Sequence, residues 1–220
     1  MSATLAVDMI SDVVCPWCYV GKRFLERAIA SKPEIAVEVR FRPYFLNPWV
    51  PREGISREEY LITKFGSVEG YNRGNNRVVE AAAAAGLSYR RELIKRQPNT
   101  LDCHRLILWA GQIGQAGTMK QRLMELYFSE GGDLTQAEVL VAAAAECGLS
   151  AEEVRARLAT DADVDTVTRA AESAKEAGIE GVPFFIFGGM LALSGAQPAE
   201  YIAEAIERAA GELAKRVAAE

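Results

Sequence analysis

Two cysteines separated by two residues, Cys15 and Cys18, lie where a strand pattern gives way to a helix pattern near the start of the chain. Residues 5–10 are an apolar stretch that alternates like a strand, and from residue 17 to 29 apolar side chains recur at helical spacing. This junction constrains the fold because it requires a strand followed at once by a helix. A C-x-x-C motif in that position is typical of a thiol–disulfide site rather than a structural staple.

The predicted helix start gives the two thiols different roles. Cys15 would lie at or near the N-cap, where unpaired backbone N–H groups and the positive end of the helix dipole favour thiolate over thiol. Pro16 would occupy the first helical position, where its missing N–H costs little. Cys18, one turn further along, is placed to attack a mixed disulfide formed on Cys15.

Cysteines in this pattern can also have roles without redox chemistry. A zinc site is disfavoured because there is no second C-x-x-C, and the adjacent Cys103 and His104 would point about 100° apart on a helix; no metal is assigned. The pair could instead form an inert disulfide or consist of two ordinary buried cysteines. Cys103 and Cys147 lie in apolar helical patterns and are predicted to be small core residues.

Composition limits the class of protein. The chain has 220 residues, is 50% hydrophobic and carries a net charge of −5 with a pI near 5.2. These values suit a globular enzyme and argue against nucleic acid or an anionic membrane as the main partner. No stretch approaches the roughly 20 apolar residues of a membrane span, and residues 1–11 lack the features of a secretory signal. We therefore expect a cytoplasmic protein.

The distribution of patterns along the chain predicts an α/β fold with a split domain. Residues 35–42 alternate as a second strand, residues 56–178 carry only helical patterns, and residues 184–187 and 190–193 flank a Gly188-Gly189 turn as a hairpin. A final helix follows from 198 to 219. The expected arrangement is a thioredoxin fold, a four-stranded mixed sheet flanked by helices, with a large all-helical inserted domain. Residues 1–50 and 179–220 would form the thioredoxin-like domain and residues 51–178 the insertion.

Val182 and Pro183 open the first strand of the hairpin. A trans proline is the ordinary case at a strand start. In the predicted fold, however, this loop lies beside the start of the first helix. A cis bond there would turn the Val182 backbone toward Cys15, where its N–H and C=O could pair with an extended substrate.

Three motifs carry a family resemblance: DVVCPWCYVG at residues 12–21, NTLDCHRL at residues 99–106 and GVPFFI at residues 181–186. Together, and in this order over essentially the whole chain, they resemble the FrnE-like branch of the DsbA family. The resemblance implies a thioredoxin fold with a helical insertion, a redox-active C-x-x-C, a cis proline at Pro183 and dithiol–disulfide exchange. It leaves the physiological substrate open.

Two departures refine what the resemblance implies. The best-known periplasmic relatives have histidine where this chain has Trp17, and tryptophan cannot supply the positive charge that makes those sites strongly oxidising. The neighbouring kappa-class glutathione transferases and 2-hydroxychromene-2-carboxylate isomerases typically have serine at the position matching Cys15 and use the thiolate of glutathione. Cys15 favours the disulfide branch, and a glutathione-dependent transferase or isomerase of small molecules is the alternative.

Three further residues are candidates for substrate binding. Asn99 or Thr100 could simply cap a helix, but that helix could also face the cleft and present Asn99 and His104 to a bound thiol. Trp17, with neighbouring aromatic residues, could line an apolar peptide groove, although core packing is the commoner fate of such side chains.

The sequence therefore predicts a dithiol–disulfide oxidoreductase or isomerase with Cys15 and Cys18 as catalytic residues and Val182, Pro183, Trp17, Asn99 and His104 at the substrate. No cofactor is assigned, and glutathione would enter only as a co-substrate. The partner would be a disulfide-containing protein or a small thiol or disulfide. A holdase with vestigial thiols is a third hypothesis, and both a monomer and a homodimer are open.

Overall fold

A computed structural model describes residues 4–74 and 76–219. Its strands are β1 (Leu5–Ser11), β2 (Val37–Pro43), β3 (Ile55–Ser56), β4 (Arg96–Gln97), β5 (Phe184–Phe187) and β6 (Leu191–Ser194). Its α-helices are α1 (Pro16–Ala30), α2 (Arg57–Phe65), α3 (Val68–Gly74), α4 (Asn76–Ala84), α5 (Leu101–Gly111), α6 (Ala116–Glu125), α7 (Ala137–Glu146), α8 (Ala151–Leu158), α9 (Val164–Glu176) and α10 (Ala199–Ala219).

The main sheet has four strands in the order β2-β1-β5-β6. β1 and β2 are parallel with Val7 opposite Val39, whereas β5 is antiparallel to β1 with Phe187 opposite Val7. The predicted mixed sheet is confirmed. The hairpin between β5 and β6 is confirmed as well: Gly188 and Gly189 have φ of 58° and 67°, which favours glycine at both turn positions.

The core of the sheet lies against α1 and α10. Leu5, Val7 and Met9 of β1 are fully buried and pack in one cluster with Leu25 of α1 and Ile206 of α10. Fully burying one such side chain stabilises the fold by roughly 1.5–3 kcal/mol. This packing fixes the start of α1, and so Cys15, at the carboxyl end of β1.

The inserted segment differs from the expectation in one detail. It is not entirely helical, because β3 and β4 pair antiparallel with Ile55 opposite Gln97. Two residues per strand are too few to produce a recognisable alternation, so this sheet leaves no signal in the sequence pattern. The domain boundaries at residues 51 and 178 remain a prediction, since one apolar cluster joins Cys18 of α1 to Leu106 of α5 and Leu123 of α6.

Membrane spans and metal clusters are both missing from the described residues. No helix in residues 4–74 and 76–219 is long and apolar enough to cross a membrane. Within the same part of the chain, no three His, Cys, Asp or Glu side chains converge as metal ligands would.

Candidate active site

The site is built on the first turn of α1. Cys15 is the N-cap residue, with extended φ and ψ of −91° and 112°, and Pro16 follows at the first helical position. The Cys15 carbonyl accepts the N–H groups of Cys18 at 3.0 Å and Tyr19 at 3.1 Å. No side chain caps this helix end, so its N–H groups are available to the Cys15 sulfur.

The thiols of Cys15 and Cys18 are free and buried, and their pKa values move in opposite directions. A hydrogen bond from the Cys18 thiol lowers the pKa of Cys15 and, with the N–H groups of Cys18 and Trp17, outweighs burial and the negative charge of Asp12. Burial raises the pKa of Cys18 well above its ordinary value, and its hydrogen bond to Cys15 raises it further. Cys15 is therefore the thiol that ionises first.

The loop before β5 closes one side of the site. The Val182-Pro183 peptide bond is cis, as the sequence resemblance implies. The Val182 carbonyl oxygen lies 3.6 Å from the Cys15 sulfur. Pro183 packs against α1 at Gly21, where an added Cβ would lie only 2.8 Å from the proline Cγ, so glycine permits this close approach.

A cleft of about 290 Å³ opens beside Cys15. Trp17, which is 39% exposed, forms part of its wall, as does Val182. The other residues of the wall come from the start of α1, from α2 and α3, from a π-helical segment at Leu126–Glu130, and from loops: Val14, Cys15, Pro16, Leu46, Arg57, Tyr60, Lys64, Phe65, Tyr71, Tyr89, Phe128 and Gly181. The cleft therefore combines an aromatic wall with two cationic side chains.

The cations Arg57 and Lys64 were not among the residues expected from the sequence. Arg57 is fixed by Gln97 Oε1 at 2.9 Å and by the Tyr71 hydroxyl at 3.1 Å. Lys64 donates to Asn47 Oδ1 at 2.6 Å, and burial lowers its pKa. Their spacing of seven residues along α2 resembles any exposed helix face, so only the fold reveals that both line the cleft.

Two of the expected binding residues lie elsewhere. Asn99 is not on the wall of this cleft; its amide donates to the Val50 carbonyl at 2.8 Å, and its oxygen accepts the Leu101 N–H at 3.0 Å. It borders a separate cavity of about 300 Å³. Asn99 thus supports the start of α5, whose N-cap residue is Thr100.

His104 is buried next to Asp12 rather than exposed in the cleft. Its Nε2 lies 3.3 Å from Asp12 Oδ1, and burial lowers the pKa of the imidazole. The Asp12 carboxylate also accepts the N–H groups of Val13 at 2.7 Å and Leu46 at 2.8 Å. Burial by itself would raise the pKa of Asp12, but the hydrogen bond and charge of His104, together with hydrogen bonds from the Leu46 N–H and Thr100, lower it, so the carboxylate is ionised beneath the site.

The remaining cysteines belong to the core, which confirms the prediction for both. Cys103 is fully buried on α5 and Cys147 is 6% exposed after α7. Burial raises the pKa of each thiol, that of Cys103 well above its ordinary value.

Comparisons with known proteins agree with this geometry. The model of the DSBA-like thioredoxin domain matches residues 6–207. The structure of a probable DsbA oxidoreductase from Streptomyces coelicolor is 36% identical, with 94% of this chain and 91% of that chain covered and a TM-score of 0.86.

Two more distant structures share the fold. A 2-hydroxychromene-2-carboxylate isomerase is 16% identical, with a TM-score of 0.68 over 97% of this chain and 98% of that one. The cytosolic disulfide reductase DsbM from Pseudomonas aeruginosa, in a structure with glutathione, is 15% identical, with a TM-score of 0.64 over 96% and 98% of the two chains. The family match and the Streptomyces structure together show that the chain belongs to the DsbA-like thioredoxin family.

Proposed function

We propose that the protein is a thiol–disulfide oxidoreductase that reduces or rearranges disulfides through Cys15 and Cys18. The observation that carries this proposal is the asymmetry of the two thiols. Cys15 lies at the cleft with a lowered pKa, and Cys18 lies beneath it with a raised pKa and a hydrogen bond to its partner. A nucleophile and a resolving thiol need this difference.

The reaction proceeds by two exchanges. The Cys15 thiolate attacks one sulfur of the substrate disulfide, a Cys15–substrate bond forms, and the other substrate sulfur leaves as a thiolate. Cys18 loses its proton and attacks the Cys15 sulfur, so that the Cys15–Cys18 disulfide forms and the substrate leaves as a second thiolate. The substrate disulfide is thereby reduced and the dithiol is oxidised. A thiol donor such as glutathione returns the pair to the dithiol, and in isomerisation Cys15 alone suffices.

Val182 and Trp17 would position the substrate. The Val182 carbonyl, at 3.6 Å from the Cys15 sulfur, is close enough to accept a backbone N–H of a substrate seated there. Pro183 holds this loop against α1, and the partly exposed indole of Trp17 provides an apolar wall. The relation to a cytosolic disulfide reductase supports a reducing role in the cytoplasm.

Insulin reduction by dithiothreitol tests the proposal. Cys15→Ser and Cys18→Ser should each lower the rate to the uncatalysed level, because each lacks one of the two sulfurs that the cycle needs. Cys147→Ser is the matched control, since Cys147 lies outside the cleft, and it should keep the wild-type rate. Full activity in the Cys15→Ser, Cys18→Ser double variant would favour the holdase instead.

The cations of the cleft favour a second candidate, a glutathione-dependent transferase or isomerase. A cleft of about 290 Å³ with Arg57 and Lys64 on its wall suits a small ligand that carries carboxylates. In that mechanism the thiol of glutathione is the nucleophile, so Cys15→Ser would keep glutathione-dependent turnover of an electrophile. If Cys15 is the nucleophile, the same variant loses all activity, and the two candidates are separated.

A further inference from the structure

Lys120 of α6 is a buried cation that no hydrogen-bond acceptor in the described part of the chain satisfies. Its side chain is fully buried, and among the described residues its ammonium has no hydrogen-bond partner. Lys22 of α1 provides a comparison, because it is also buried, at 3% exposure, but donates to Glu26 and to Gln121 Oε1 at 3.0 Å. The two ammonium groups approach the same Phe41 ring, at 6.0 Å for Lys22 and 5.8 Å for Lys120.

The surroundings of Lys120 connect it to the active site. Met119, its neighbour on α6, packs in one apolar cluster with Cys18 and Cys103. The charge of Lys120 acts on groups from three other parts of the chain: Asp12 before α1, Cys15, Cys18 and Lys22 at the start of α1 and within it, and Cys103 and His104 on α5. The carboxylate of Asp12 is already bonded to His104, Val13 and Leu46, so Lys120 is not needed to satisfy it.

A buried, unpaired ammonium destabilises a fold, and packing alone gives no reason to keep it. A methionine of similar length would fill the same space beside Phe41 at no such cost. Groups that violate the rules of stability in this way concentrate at functional sites. The nearby group whose anion most needs a positive charge is the thiol of Cys18. This thiol is fully buried and is the hydrogen-bond donor to the Cys15 sulfur.

We propose that Lys120 is a positioning residue for the second exchange, in which its ammonium stabilises the thiolate that Cys18 must form to resolve the mixed disulfide. The inference deepens the proposed oxidoreductase function and rests on it. When Cys18–SH releases its proton to solvent, its sulfur attacks Cys15, the bond between Cys15 and the substrate breaks, and the substrate leaves as a thiolate. Lys120 gains and loses nothing in this step; it acts through Cys18 by lowering the free energy of the anion.

Cys15 depends less on Lys120 than Cys18 does. The Cys15 thiolate accepts hydrogen bonds from the Cys18 thiol and from the backbone N–H groups of Trp17 and Cys18 at the start of α1. Once Cys15 is part of a mixed disulfide, the hydrogen bond between the two thiols is lost, but the charge of Lys120 still favours the Cys18 thiolate. Loss of Lys120 should therefore slow the second exchange and leave the first nearly unchanged.

The reaction with 5,5′-dithiobis(2-nitrobenzoate) separates the two exchanges. Attack by Cys15 releases one thionitrobenzoate anion at a rate that depends on reagent concentration, and resolution by Cys18 releases another at a rate that does not. Cys18→Ser identifies the second phase by removing it. In Lys120→Met, the second phase should slow by about tenfold or more at neutral pH, because each unit of increase in the Cys18 pKa lowers the thiolate fraction about tenfold. Its pH midpoint should also move upward.

Lys22→Met is the matched control. It removes the other buried lysine beside Phe41 but leaves Lys120, and the loss of its repulsion only makes Lys120 easier to keep protonated. Both phases should therefore keep nearly the wild-type rates, and their pH midpoints should move far less than in Lys120→Met. Lys120→Met should melt no lower than the wild type, since an unpaired buried charge has been removed. Lys120→Gln is the second neutral variant and should slow the second phase similarly.

The outcomes are distinguishable. A wild type without the second phase contradicts the proposed function itself. A wild type with both phases and a Lys120→Met variant with an unchanged second phase contradicts only the role of Lys120. Equal slowing in Lys22→Met, or failure of both neutral Lys120 variants to fold, would also overturn the inference, because each result would assign the lysine to packing.

Discussion

Arg105 and Lys120 are both fully buried cations, but their surroundings differ. The Arg105 guanidinium donates to the carbonyls of Arg157 at 2.6 Å, Thr160 at 2.8 Å and Ala162 at 2.8 Å, at and beyond the end of α8. It also bonds Asp102 Oδ1 at 2.7 Å. Lys120 has no such partner in the described part of the chain.

The hydrogen-bond acceptors around a buried cation separate a charge that stabilises the fold from one that has another function. Arg105 donates to the Thr160 and Ala162 carbonyls beyond the end of α8 and adds a further hydrogen bond to the Arg157 carbonyl, so its charge contributes to the fold. Lys120 satisfies none, so its charge lowers stability and must have a different role. The role we infer is in the thiolate chemistry of Cys18.

Replacement of Arg105 should have the largest effect. We expect Arg105→Met to lower the free energy of unfolding by about 3–5 kcal/mol, because Asp102 and three carbonyls lose their buried partner. Urea denaturation at neutral pH measures this loss. Arg155→Met is the control, since Arg155 pairs with Glu138 on the surface and should change stability little. If the two variants were equally stable, Arg105 would not differ from a surface cation.

Replacement of Lys120 should change stability in the opposite direction. Burial lowers the pKa of Lys120 to about 8. In the unfolded chain the same lysine keeps its proton up to about pH 10.4. The lysine therefore lowers stability fully below pH 8, and this loss of stability disappears as the pH rises from about 8 to about 10.4. Lys120→Met should therefore raise the free energy of unfolding by up to about 3 kcal/mol below pH 8.

Denaturation of both proteins from pH 6 to pH 10 provides the measurement. The difference between Lys120→Met and the wild type should be largest at the acid end of this range and should shrink above pH 8. A constant difference would mean that packing changed rather than charge. A less stable variant would make Lys120 structural, like Arg105, and would remove the contrast between the two cations.

Asp12 is the buried anion of the same region and should have an intermediate effect. Its pKa is lowered in the folded protein, so the carboxylate contributes stability above its ordinary pKa near 4, and this contribution is lost as the pH falls through the lower folded value. Asp12→Asn cannot accept both the Val13 and the Leu46 N–H groups. We expect a loss of about 2 kcal/mol at neutral pH, and the gap to the wild type should narrow in acid. A gap independent of pH would contradict the assignment of an ionised Asp12.

The sequence was sufficient to predict the main sheet and the position of Cys15 at the start of the first helix. The strand followed by C-x-x-C placed Cys15 at the helix start, and Gly188-Gly189 marked the hairpin, because both features depend on residues adjacent in the chain. The short pairing of Ile55 with Gln97 could not be predicted, since two-residue strands leave no periodic pattern.

The charges of the site were harder to predict. Arg57, Lys64 and Lys120 come from α2 and α6, and their positions near the cysteines depend on how the inserted helices pack. In the sequence each looks like a lysine or arginine on a solvated helix face. His104 shows the converse: its motif suggested a ligand-facing residue, but the fold buries it against Asp12.

The smallest predicted effect concerns the other end of the helix that Arg105 caps. The Ser150 hydroxyl caps the start of α8 by accepting the Glu153 N–H at 3.3 Å. Ser150→Ala should lower the free energy of unfolding by about 1 kcal/mol, because an exposed N–H can turn to water whereas the carbonyls around Arg105 cannot. Ser173→Ala is the control: Ser173 lies inside α9 and bonds the Arg169 carbonyl, so alanine should be neutral or slightly stabilising there. Both can be measured in the urea series used for Arg105→Met. If Ser150→Ala were as damaging as Arg105→Met, the importance of Arg105 would lie in α8 as a helix, and its buried charge would have no special role.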